Sequence, residues 1–136
     1  MSFVLYDDRA AREFEPFALT RPAGELRAGG ELIRRRWAQL MGEPAAGFVG
    51  AAHLAEFREF DAPPAARDTL PAGTVLVNAR CAPALSPASS REAAAAMSDG
   101  TSRWRCDGRV AAVRLKAPLA LSALEAVRGK GSRPFD

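Results

Sequence analysis

The residues best suited to chemistry fall in two places. The first is the run at 14–37, FEPFALTRPAGELRAGGELIRRRW, where Arg21 and Arg27 stand among Glu15, Glu25, prolines and glycines. Guanidinium groups offer planar, forked donors that match phosphate oxygens. The same residue types also fit a loop fixed by internal ion pairs, with Arg21 and Arg27 bound to Glu15, Glu25 or Asp8. The second place is a pair of segment ends. Asp7 and Asp8 follow an apolar run at 3–6, and Asn78 and Arg80 close another at 74–78. Adjacent carboxylates suit a divalent cation beside a triphosphate; they are equally good turn formers.

What these positions share depends on the elements that carry them. Residues 3–6 read as a buried strand, 46–50 as a short one, and the β-branched run 74–78 as the clearest. Residues 9–13 predict one helical turn before Pro16. Leu32, Ile33, Trp37, Leu40 and Met41 recur at helical spacing, so a helix is expected over 30–41, stopped by Gly42. A second helix is expected over 52–60 from Leu54, Phe57 and Phe60. Arg34, Arg35 and Arg36 then fall on a solvated face. Ser86-Pro87 has the N-cap and N1 residues of a helix that Gly100 ends. Residues 103–115 read as a hairpin turning at Asp107-Gly108, and 119–127 as a last helix. Strands alternating with helices predict an α/β fold with a parallel core, to which an antiparallel hairpin is added late. In such sheets ligands bind beyond the carboxyl ends of the strands. Asp8, Asn78 and Arg80 share that edge, and the loop after the first strand lies on it.

Composition narrows the classes. At 136 residues, 48% hydrophobic and 26% charged, the chain is one soluble-type domain. No run approaches the roughly 18 apolar residues of a membrane span, and the N-terminus is unlike a signal peptide, so a cytoplasmic protein is expected. Cys81 and Cys106 with the single His53 make no zinc spacing. Both cysteines are expected to be buried free thiols, and His53 to cap or flank a helix. Residues 1–101 carry 11 basic and 13 acidic side chains, whereas 102–136 carry 8 and 3. The basic end has few aromatics for base stacking, so nucleic acid is not an expected partner.

Leu5-Tyr6-Asp7-Asp8, then Thr20-Arg21-Pro22-Ala23-Gly24-Glu25-Leu26-Arg27, then Ile33-Arg34-Arg35-Arg36-Trp37 together resemble a known pattern. It is that of the sugar nucleotidyltransferases related to the N-terminal half of the bifunctional N-acetylglucosamine-1-phosphate uridyltransferase/acetyltransferase. The VLVNAR strand and the terminal RPFD extend the likeness. The resemblance implies a nucleotide-diphosphosugar transferase fold, that is, a Rossmann-like open, mostly parallel sheet. It also implies transfer of a nucleotidyl group from an NTP to a sugar 1-phosphate, with Mg2+. Arg21 and Arg27 would be catalytic phosphate contacts, and Asp7, Asp8, Thr20, Asn78 and Arg80 would bind the nucleotide or its metal. Relatives often continue into a left-handed β-helix with acyltransferase activity. That implies an N-terminal fragment of a longer, homo-oligomeric protein, in which this domain either transfers nucleotide or serves as a non-catalytic platform. Pro16 and Pro22 match the prolines of the wider superfamily. Glu13 and Ala23 replace its arginine and lysine, and Asn78 its magnesium-binding aspartate.

Overall fold

The computed structural model describes residues 2–98 and 100–124. β1 (Phe3–Tyr6) is an interior strand, second from one edge, of a five-stranded sheet. After it come a one-turn helix, α1 (Arg9–Arg12), and two short 3-10 turns at Phe17–Leu19 and Ala23–Glu25. A small hairpin, β2 (Arg27–Ala28) with β3 (Glu31–Leu32), leads into α2 (Ile33–Met41). β4 (Gly47–Val49) then pairs parallel to β1 on one side. β5 (Thr69–Leu70) follows a long connection, and β6 (Val75–Asn78) pairs parallel to β1 on the other side. After α3 (Pro87–Ser98), the hairpin β7 (Arg103–Cys106) and β8 (Arg109–Arg114) adds two antiparallel strands, giving the order β4-β1-β6-β8-β7. β9 (Leu119–Ala120) pairs antiparallel to β5. The expected Rossmann-like α/β sheet, with a parallel core and a late hairpin, is what forms.

β1 and the first three residues of β6 are apolar without interruption because both faces of the sheet are covered. Phe3, Leu5, Val75 and Val77 face one cluster with Ile33 and Trp37 of α2, Phe48 and Met97. Val4, Tyr6 and Leu76 face a smaller one with Val49, Leu70 and Leu124. α3 packs on α2 over the first face. Each large side chain buried there contributes about 2 kcal/mol, and Trp37 is also oriented by Nε1 donating 2.8 Å to the Cys81 carbonyl.

Several expectations need correction. The helix starts at Ile33, not at 30, because Gly29 at φ +70° turns the chain between β2 and β3. No helix spans 52–60. A 3-10 turn holds Ala52–Leu54, and Phe57 packs edge-on against Phe48, with ring centroids 6.1 Å apart, while Phe60 is fully exposed. Leu119 and Ala120 are strand, helical backbone begins at 121, and the remainder of 119–127, like the terminal RPFD, lies outside the described residues. Cys81 is only half-buried, and Cys106 is exposed because β7 is an edge strand. Both are free. His53 sits in the 3-10 turn, with Nε2 3.2 Å from the Ala18 carbonyl. The Asp107-Gly108 turn forms as expected, both residues at positive φ. Among the described residues no helix is long and apolar enough to cross a membrane.

The arginine triplet is the largest correction. Arg34 is buried, its Nε 2.6 Å from Glu25 Oε1. Arg34 and Arg35 both reach Asp61, and Arg35 also reaches Glu31. Arg36 donates to the carbonyls of Ala28 and Pro83. Arg35 is exposed as expected, whereas Arg34 is buried and Arg36 half-buried, and these two tie α2 to the loops around it where a solvated face was expected.

Candidate functional site

The chain leaves β1 toward β4 on one side and, from β6, continues toward β8 on the other. The strand order therefore reverses between β1 and β6, and the crevice beyond their carboxyl ends is where an open α/β sheet takes a ligand. Register places Tyr6 opposite Asn78, so Asp7, Asp8 and Arg80 follow directly at that crevice. Asp8 is the N-cap of α1, accepting from the Ala11 N–H at 2.9 Å. Its two oxygens also receive the Arg80 fork, Nε at 2.8 Å, and Asn78 Nδ2 lies at 3.5 Å. Burial pushes the Asp8 carboxyl up, but Arg80, the Ala11 N–H and Asn78 together outweigh it and hold it below the usual carboxylate value. Asp7, 2% exposed, accepts the Ala23 N–H at 3.0 and 3.2 Å and so pins the second 3-10 turn, within the Thr20–Arg27 run, to the end of β1. The Asn78 oxygen accepts the Arg80 N–H at 2.9 Å. Three of the sequence-predicted residues, Asp8, Asn78 and Arg80, are therefore brought into one hydrogen-bonded group. It spans the crevice as an internal ion pair.

A cleft of about 340 Å³ opens beside this pair, lined by Asn78, Arg80, Cys81, Asp107 and Arg109 among others. Arg80 and Arg109 give it two guanidinium groups suited to an anion. Sequence reasoning passed over Arg109. The only signal for it was the Asp107-Gly108 turn, which sets it at the first position of β8.

Arg21 and Arg27 lie elsewhere, in a second cleft of about 410 Å³ that shares no lining residue with the first. Phe17, Phe60, Arg34, Arg35 and Glu59 also line it. Arg21 Nη2 pairs with Glu59 at 2.9 Å, both side chains being substantially exposed. Arg27 Nη1 donates to the Gly30 carbonyl at 2.8 Å, across the β2–β3 turn. Thr20 is exposed, with its hydroxyl 3.4 Å from the Phe17 carbonyl. Glu25, beneath this cleft, is 4% exposed; burial raises its carboxyl above the usual value, and Arg34 only partly opposes this. Glu15, one of the expected partners of these arginines, forms no ion pair among the described residues. Glu59, 38 positions from Arg21, takes its place.

The side chains at the crevice do not fit a protein-held magnesium ion as they are arranged. Among the described residues no three of His, Cys, Asp and Glu gather to hold a metal. Asp8 already faces a guanidinium, which repels a second cation, and both Asp7 oxygens receive a backbone N–H.

No curated protein and no solved structure matches the chain significantly. A family model described as sugar nucleotidyl transferase matches residues 3–133, which takes in the crevice, both arginine clefts and the whole described sheet. The chain belongs to the sugar nucleotidyl transferase family.

Proposed function

We propose that this domain binds an NTP and a sugar 1-phosphate and joins them. The sugar-phosphate oxygen attacks the α-phosphorus, and pyrophosphate leaves. In this reading Arg21 and Arg27 hold phosphate oxygens, and Arg80 with Arg109 serves the anion at the sheet crevice. Such chemistry asks a protein mainly to position phosphates and to offset their charge. The observation that carries the reading is that both signature arginines line one open cleft of about 410 Å³. Arg21 is held there only loosely, because an exposed ion pair such as Arg21–Glu59 is worth about 0–1 kcal/mol. A polyanion can displace Glu59 at that cost. Magnesium, in this reading, arrives as the counter-ion of the triphosphate and is held by its oxygens. The likeness to the uridyltransferase half of the bifunctional enzyme supports the further proposal of a cytoplasmic, homo-oligomeric protein in which a left-handed β-helix follows this domain.

Calorimetric titration with each NTP plus magnesium tests the binding step. Arg21→Ala should weaken the affinity at least about tenfold, the loss of one charge-assisted contact. No heat with any NTP or sugar nucleotide would refute the proposal. A second reading, a non-catalytic platform beneath an acyltransferase β-helix, rests on Asp7 and Asp8 being committed to structural bonds. Tight binding without turnover would favour it.

A further inference from the structure

Cys81 and Cys106 are the chain's two cysteines, and both line the 340 Å³ cleft. Cys81 lies on the loop that leaves β6. Its backbone is fixed at both polar groups, its N–H donating 2.9 Å to Asn78 and its carbonyl accepting from Trp37. Cys106 ends the exposed edge strand β7, directly before the Asp107-Gly108 turn and opposite Arg109. Both also line an apolar cavity of about 210 Å³ with Trp37, Met97 and Trp104. The same two cavities are thus bounded by both thiol-bearing residues.

We propose that Cys81 and Cys106 are a reversible dithiol–disulfide site, oxidised by a low-molecular-weight disulfide and reduced by a thiol. Closure needs the two sulfurs to approach to about 2 Å, through space that both residues line, one from a loop and one from a strand end. The exposed Cys106 acts first. Its thiolate attacks the small disulfide R–S–S–R, forming Cys106–S–S–R and releasing R–S⁻. Cys81 then loses its proton and attacks the Cys106 sulfur, expelling the second R–S⁻. Two protein thiols are oxidised, one small disulfide is reduced, and the two protons leave on the two released thiols. Burial, with Cys106 beside it, pushes the Cys81 thiol up to about 11, which makes it the resolving and not the attacking group. The bridge would join the loop carrying Arg80 to the hairpin carrying Arg109 and so fix the mouth of the cleft between them. This site does not depend on the proposed transfer reaction.

The test is incubation of the full chain with oxidised glutathione, read by intact mass and free-thiol titration. The expected product is two hydrogens lighter than the starting chain. It should be monomeric and free of glutathione, with both thiols lost together and restored by dithiothreitol. Cys81→Ser should instead accumulate a stable glutathione adduct on Cys106. The wild-type mass stands whether or not that variant folds. Independent loss of the two thiols with adducts on each, or a Cys106-linked dimer as the main product, would overturn the proposal.

Discussion

Replacing Arg80 with alanine would leave Asp8, 6% exposed, holding only the Ala11 N–H at 2.9 Å and the longer contact from Asn78 at 3.5 Å. Breaking a fully buried ion pair costs about 3–5 kcal/mol, because one charge stays behind without its partner. The Arg80 side chain is 38% exposed, so water can reach the outer Asp8 oxygen after truncation. That reduces the expected loss to about 2 kcal/mol. For a domain of this size the melting temperature should fall by roughly 6 °C. Asp8→Asn keeps an N-cap acceptor and leaves no buried charge in place of the carboxylate, and the Arg80 side chain is 38% exposed, so it should cost only about 1 kcal/mol. The pH dependence supplies a second check. The folded Asp8 pKa lies below its unfolded value of 3.8, so its stabilisation is present above pH 3.8 and is lost as pH falls through the folded value. The gap between wild type and Arg80→Ala should therefore be full at neutral pH and narrow below 3.8. Urea denaturation across this range measures both effects. If Arg80→Ala is as stable as wild type, or Asp8→Asn is the worse variant, the pair does not hold the crevice as described.

Glu25 should behave with the opposite sign. Its folded pKa is raised above 4.5, so folding is favoured below 4.5 and loses that contribution as pH rises through the folded value. Glu25→Gln should flatten the stability profile just above pH 4.5, and an unchanged profile would contradict the assignment. Gly42 closes α2 at φ +74° with open space around it, so Gly42→Ala should cost about 1 kcal/mol from backbone strain alone; a neutral thermal melt would count against that cap. At Gly24 an added Cβ would meet Leu5 Cδ1 at 2.9 Å, and Gly24→Ala should cost about 1–3 kcal/mol by overpacking. Unchanged stability would mean that the signature run is not pressed onto β1.

The sheet was legible wherever a strand is buried on both faces. Val75–Val77 and Phe3–Tyr6 are continuous apolar runs, and the Asp107-Gly108 turn announces its hairpin. The β2–β3 hairpin was not, because its strands are two residues each and carry no alternation to read. The helix expected over 52–60 came from a true spacing of Leu54 and Phe57. That spacing is met instead by a 3-10 turn that lets Phe57 close on Phe48. At the site, the shared strand edge of Asp8, Asn78 and Arg80 followed from topology alone. Their mutual pairing, and the distance between this group and the Arg21–Arg27 cleft, did not. Partners such as Glu59 for Arg21 and Asp61 for Arg34 lie 38 and 27 positions away, and only the folded chain brings them together. Arg34 and Arg36 depart from the expected solvated face for the same reason, while Arg35 stays exposed. Charge suggested solvent, whereas the neighbours are loops with acids and carbonyls to satisfy.

The most direct test of nucleotidyl transfer is pyrophosphate release from a panel of NTPs and sugar 1-phosphates with magnesium, comparing wild type with Arg21→Ala and Arg27→Ala. Transfer by the wild-type domain should require both substrates and fall at least about tenfold in each variant, with stability preserved. Pyrophosphate release that is absent from the wild type with every pair, or unchanged in both variants, would contradict transfer through the arginine cleft.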